Sequence, residues 1–429
     1  MRIRRDRLAH HIRRPQLLRR LGPGLITGAA DDDPSGIATY SQAGAAFGLN
    51  MLWTIVLTYP LMTAVQAICA RIGRVTGKGL ASNLAEVFPR WLVLALVALL
   101  FIANTINIGA DLAAMGAAAQ LLAGGGARLF TVGFALLSLG LQVFVPYHRY
   151  VRILKWMTLA LFAYVGVVFT VHIDWGAVVK GTFLPHLQGK EAIVTVVAVF
   201  GTTISPYLFF WESSEEVEEQ GSDGDGAGGG PLLKNPGRAH EQLSRIWWDN
   251  VVGMGVSNVI AFFIILTTAV ALHAHGMTDI QTSEQAAAAL KPIAGPFAFL
   301  LFSAGIVGTG LLAIPVLAGS AGYAVGELEG WKAGLEAKPG EAIGFYSVIA
   351  AAVLVGLALT WSSLDPIRAL FWSAVVNGVI SVPIMAATMV VARRKAQMGP
   401  FTAPMAQTVL GWIATGVMAL AVAAMVATL

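Results

Sequence analysis

Three consecutive aspartates, Asp31, Asp32 and Asp33, stand in the middle of an apolar run that extends from Gly22 to Gly48. A run of that length can cross a bilayer, yet each ionised carboxylate at its centre costs on the order of 3 kcal/mol even on the lenient insertion scale. The segment must therefore give these charges a use, a partner or a watery surrounding. Pro34 and Gly36 follow directly, so the helix is expected to break there and to turn freed carbonyls toward a cavity rather than toward lipid.

The rest of the chain confirms the setting. Of 429 residues 56% are hydrophobic and only 12% charged, against roughly 25% in soluble domains. An all-α integral membrane protein follows. Stretches of about 20 apolar residues place eleven spans, at 21–47, 51–70, 91–122, 129–146, 153–173, 192–213, 246–272, 293–323, 342–361, 367–392 and 405–428. With the N-terminus inside, 23 of the 28 lysines and arginines fall on the cytoplasmic side, as the positive-inside rule requires of a multi-pass cell-membrane protein. Eight of them lie in residues 1–20, read as a retained cytoplasmic arm rather than a signal peptide. Because the positive charge tracks the span ends, it carries no nucleic-acid signal; the bilayer is the partner it implies. The single cysteine, Cys69, allows neither an intrachain disulfide nor a cysteine metal site. A glycine-rich stretch, 217–241, reads as a flexible cytoplasmic linker. Its DGDG fragment lacks the alternating ligands and closing glutamate of a calcium loop.

A second span is broken in the same manner. Gly201, Thr202, Thr203, Ser205 and Pro206 interrupt the sixth apolar run. Discontinuous spans at corresponding positions of two halves point to an inverted-repeat transporter with its site where both helices unwind. Spans 1–5 (21–173) and 6–10 (192–392) would be the two repeats, with 405–428 an extra span. The alternative is that Pro206 only kinks a packed helix.

The first break reads DPSGIAT, from Asp33 to Thr39, and continues through Gln42–Gly48 (QAGAAFG), the pair Leu52–Trp53 and the run Arg74–Leu80 (RVTGKGL); the third span carries GADLA from Gly109 to Ala113. These stretches resemble the Nramp (natural resistance-associated macrophage protein) family of divalent-metal transporters, whose first-span motif is DPGN, one residue, then AT. The third-span motif of that family is TDLAE, and its sixth-span motif is an alanine, two residues and MPH. The resemblance implies the LeuT-type fold and, carried over residue by residue, a metal site of Asp33, Gly36, Thr202 and Ser205. It also shows departures. Gly36 stands where the family has an asparagine ligand, Ser205 where it has the methionine, Thr202 at the alanine.

A site without its thioether offers only oxygen, which suits Mg²⁺ or Mn²⁺ over softer ions. Asp33, helped by Asp32, with Ser205, Thr202 and unwound carbonyls would hold a partly hydrated ion, and the family has a related branch of this pattern that carries Mg²⁺ and Mn²⁺. Tyr207 replaces the family's MPH histidine, a proton-path group, and Ala114 the acid after DLA. Proton coupling is therefore doubtful and uniport driven by the membrane potential is expected, with Asp111 either a residual relay or a structural carboxylate.

Further polar residues extend the expectation. Asn377 would line the site from the tenth span. Glu212 and Glu216 share a helix face at i, i+4 and would form a cation-attracting vestibule, or simply a solvated helix end. Asn104, Asn107, Asp249, Asn250 and Asn258 read as makers of interhelical hydrogen bonds, and His273, His275 and His186 as solvated. No nucleophile–base pair suggests an enzyme, and no cofactor is expected beyond the transported divalent cation. Alternatives are a LeuT-type symporter of a small organic solute and a non-transporting membrane sensor.

Overall fold

The computed structural model describes residues 27–28, 30–146, 149, 154, 156–186, 189–222, 230–335, 337–361 and 365–428. The basic arm, the DGDG fragment, Arg152 and Lys155 lie outside the described residues. What is described is helical, with no strand assigned. The principal helices are α1 (Pro34–Phe47), α2 (Leu52–Thr76), α3 (Arg90–Ala123), α4 (Ala127–Phe144), α5 (Gly189–Thr203), α6 (Pro206–Ser222), α7 (Ala239–Ala271), α8 (Ala298–Glu329), α9 (Ile343–Leu359), α10 (Pro366–Arg393) and α11 (Met405–Thr428).

Among the described residues eight helical segments are long and apolar enough to cross a membrane. One of these, Pro34–Thr76, is interrupted at Gly48, where φ of +58° and a 3₁₀ turn end α1 and lead into α2. A positive φ is a conformation glycine adopts without steric cost. The 17-residue α9 is shorter than any of these eight segments, and the expected fifth span falls on a 3₁₀ turn, Met157–Leu161, followed by the short helix Phe162–Val167. The expected sixth span is two helices, α5 and α6, with the chain non-helical at Ser205 between them.

Packing explains the broken helices. α1 lies between α7, α10 and α5, and α6 between α2 and α8, so both breaks sit inside a shell of other helices. Only protein-lined surroundings of this kind let a helix lose backbone hydrogen bonds at membrane depth. α4 and α11 are the least buried spans, and side chains such as Leu129, Phe144 and Leu420 project outward, as lipid-facing groups do. One contact fixes the second break against its neighbour. A Cβ on Gly201 would stand 2.1 Å from the Ala374 carbonyl and 2.4 Å from the Gly378 amide, so the backbones of α5 and α10 touch there.

Candidate metal centre

The first break is set by a cap. Residues 27, 28, 30 and 31 are helical, the chain bends at Asp32, and α1 restarts at Pro34, whose missing N–H costs nothing at a first helical position. Asp33 is the N-cap: its Oδ1 accepts from the Gly36 amide at 2.7 Å and its carbonyl from Ile37 N at 3.1 Å. Its other oxygen accepts from the Asn107 side-chain amide on α3 at 2.9 Å. A carboxylate has about four lone-pair positions, so two donors leave Asp33 able to meet a cation. The residue is 1% exposed.

Across from it stands the second break. A Cβ on Gly36 would approach Thr202 Oγ1 to 3.3 Å, which places Gly36 and Thr202 face to face. Ser205 donates toward the carbonyls of Gly201 (2.9 Å) and Thr202 (2.8 Å) at the end of α5. That uses its one proton and leaves its lone pairs open. Thr203 spends its proton on Val199 O, so Tyr40 of α1 donates to Thr203 Oγ1 at 2.9 Å and ties the two broken spans together. Tyr207, the first residue after Pro206, donates to Ala30 O at 3.3 Å across the same gap. Gly36, three residues after Asp33, thus faces Thr202, and Tyr207 reaches Ala30, so the two breaks meet although Asp33 to Tyr207 spans 175 positions.

The remaining aspartates are close. Asp31 and Asp32 are held by a single hydroxyl, Ser257 of α7, at 2.7 and 3.0 Å, and Asp31 Oδ1 is buried with no hydrogen bond. Asp111 lies one helical turn beyond Asn107 on α3, fully buried. Its charge and that of Asp33 act on each other, and neither of its oxygens takes a hydrogen bond; the Ser35 amide is near but outside hydrogen-bond geometry. Like charges this close in a low dielectric repel strongly, and either a proton or a cation among them would relieve the repulsion. Asn377, one turn past Ser373 on α10, is buried with its Oδ1 unpartnered and makes no hydrogen bond to Asp33.

Glu212 and Glu216 have partners of their own. Neither is a solvated helix end: Glu212 accepts from Thr27 at 2.5 Å and Asn250 at 3.0 Å, and Glu216 accepts from Arg245 at 3.0 Å with Arg74 at 4.0 Å. Burial follows because α6 continues between α2 and α8 instead of emerging into water. Thr27 and Glu212 therefore latch the half-helix that precedes Asp33. A Cβ on Gly28 would stand 2.3 Å from Gly253 O, so this half-helix lies directly on α7. His273 is tied to the Ala45 carbonyl at 2.7 Å.

Sequence reasoning passed over Asn107, Ser373, Ser35 and Ser257 as members of the site. Asn107 had a usable signal, since it precedes Asp111 by four residues and must share its face. The serines had none, because small polar residues occur throughout these spans.

The chain matches the family model described as natural resistance-associated macrophage protein-like over residues 24–428. A Klebsiella pneumoniae protein named divalent metal cation transporter MntH is 25% identical over 301 residues, which are 68% of each chain. A Pectobacterium carotovorum protein of the same name is 28% identical over 303 residues, again 68% of each. Among solved structures, the Eremococcus coleocola manganese transporter superposes with a TM-score of 0.74 at 18% identity, covering 97% of this chain and 87% of that one. Mhp1, a nucleobase-cation-symport-1 family transporter in a closed conformation, gives 0.53 at 14% identity with 95% and 92% covered. At such identities the structural likeness speaks for the LeuT-type fold alone. With the family model spanning nearly the whole chain, the protein belongs to the natural resistance-associated macrophage protein-like (Nramp) family.

Proposed function

We propose that this protein carries a hard divalent cation, Mn²⁺ or Mg²⁺, across the cell membrane by alternating access, with Asp33 as its charged ligand. The observation that carries the reading is the meeting of Asp33 and Gly36 with Thr202 at two facing helix breaks, in a volume whose side-chain donors are oxygens. Family membership supports transport rather than catalysis. Mg²⁺ keeps several of its waters and needs one or two carboxylates, and hydroxyls with carbonyls supply the rest. The half-helix ends that carry the Ala30, Asp31, Gly201 and Thr202 carbonyls bear the negative ends of helix dipoles, which favour a cation.

In the same reading residues 21–173 and 192–392 are the two inverted repeats, the N-terminal arm is cytoplasmic, and the half-helix latched by Thr27 and Glu212 closes the cytoplasmic route. Tyr207 does not titrate near neutral pH and its hydroxyl is occupied by Ala30 O, which favours uniport over proton symport. Uptake of Mn²⁺ and Mg²⁺ into proteoliposomes tests the assignment. Flux in wild type and its loss in Asp33→Ala are expected, and undiminished flux in the variant would refute it. Acidification of the lumen in step with metal entry would overturn the uniport reading.

A further inference from the structure

The α1 motif lacks a side chain at Gly36, and the structure places a carboxamide from another helix against the same carboxylate. Asn107 of α3 is fully buried and donates from Nδ2 to Asp33 Oδ2 at 2.9 Å, while its Oδ1 accepts from Ser373 of α10 at 2.7 Å. A carboxylate only accepts, so Asp33 is what turns the amide nitrogen toward the site. Ser373 imposes no such direction, since a hydroxyl both donates and accepts.

We propose that Asn107 is a cation ligand held in reserve: on arrival of a divalent ion its carboxamide turns over and presents Oδ1 beside Asp33, replacing in trans the oxygen that position 36 does not supply. The inference rests on the proposed cation site at Asp33. Apart from the bond to Asp33, the hydrogen bonds survive the turn. The amide nitrogen then donates to Ser373 Oγ, and the Ser373 proton moves to Leu370 O, already 2.7 Å away. Ser35, which donates to Leu370 O at 3.0 Å, also stands 3.2 Å from Ser373 Oγ and can turn its proton there. The only partner released is Asp33 Oδ2, which the cation takes.

Geometry agrees with this role. Turning a carboxamide exchanges its oxygen and nitrogen in nearly the same places, so Oδ1 would come to about 2.9 Å from Asp33 Oδ2. Two neighbouring oxygens on an octahedral Mg²⁺ with bonds of about 2.1 Å stand about 3 Å apart. The spacing already matches a shared ion.

The test compares Mn²⁺ and Cd²⁺ binding to the full-length protein in detergent. A thioether prefers the softer ion, so Asn107→Met, if the side chain reaches the cation, weakens Mn²⁺ by about tenfold or more while sparing Cd²⁺. Asn107→Asp keeps a hard oxygen and holds Mn²⁺ to within about threefold of wild type. Ser373→Ala removes the acceptor for the turned amide and weakens Mn²⁺ by about tenfold, which keeps the idea testable where Asn107→Met does not fold. Equal weakening of both ions in Asn107→Met, or unchanged Mn²⁺ binding in Ser373→Ala, overturns the proposal. Asp33→Ala separates the two levels: loss of Mn²⁺ binding there, with an unmoved Mn²⁺/Cd²⁺ ratio in Asn107→Met, leaves the site standing and removes only the reserve ligand.

Discussion

Removing the Thr27 hydroxyl tests whether the half-helix before Asp33 is a gate held by Glu212. Thr27→Val keeps the shape of the side chain and deletes the 2.5 Å hydrogen bond to Glu212 Oε2. Asn250 still donates to the other oxygen at 3.0 Å. A hydrogen bond to a charged group contributes about 1.5–3 kcal/mol net. In the open state water takes the place of Thr27, so the whole difference falls on the closed state. That shifts the closed-to-open ratio by about ten- to a hundredfold. A reporter is available in Ser257→Cys, on a background with Cys69→Ser, because Ser257 is buried beneath Asp31 and Asp32. Its modification by a membrane-impermeant thiol reagent from the cytoplasmic face reads opening directly. The rate should rise at least tenfold on adding Thr27→Val. An unchanged rate would mean that the Gly28–Gly253 contact, not the Thr27–Glu212 bond, holds the segment shut.

Other perturbations follow from the same geometry. Gly201→Ala forces a Cβ to within 2.1 Å of the Ala374 carbonyl, so α5 and α10 must separate, and a loss of about 1–3 kcal/mol in unfolding free energy in detergent is expected; an unaltered denaturation midpoint would contradict the close contact. Arg245→Met strips the nearer cation from Glu216, which is 1% exposed, and leaves it Arg74 at 4.0 Å. It should cost about 3 kcal/mol, most of it recovered when Glu216→Gln is added, because the penalty is a buried charge that has lost its close partner; a second change with no recovery would refute the pairing. Ser205→Met places a thioether at the second break and should favour Cd²⁺ over Mg²⁺ in uptake, by about tenfold or more in the ratio, if the all-oxygen donor set governs selectivity. Uptake ratios equal to wild type would show that Ser205 does not reach the ion.

The sequence by itself carried the architecture. Span lengths, the basic loops and the two Pro- and Gly-marked interruptions are chemical signals local to a few residues, and the bilayer makes them strict, since unsatisfied backbone is tolerated only at protected breaks. The two breaks, at Asp33–Gly36 and at Thr202–Pro206, were legible for that reason, whereas the choice of Asp33, Gly36, Thr202 and Ser205 as a metal site came from the family resemblance. Contacts between residues hundreds of positions apart were not legible, because partner choice depends on how helices pack. Nothing near Glu212 indicates that Thr27, 185 residues earlier, covers it, and the acidic run after Trp211 reads as solvated until α6 is seen wedged between α2 and α8. Asn107 is the clearest case. Its type and spacing mark it as an interhelical hydrogen-bonder, but only the tertiary structure decides that its partner is the charge at the centre of the first break, and that the amide missing at position 36 is met from another helix.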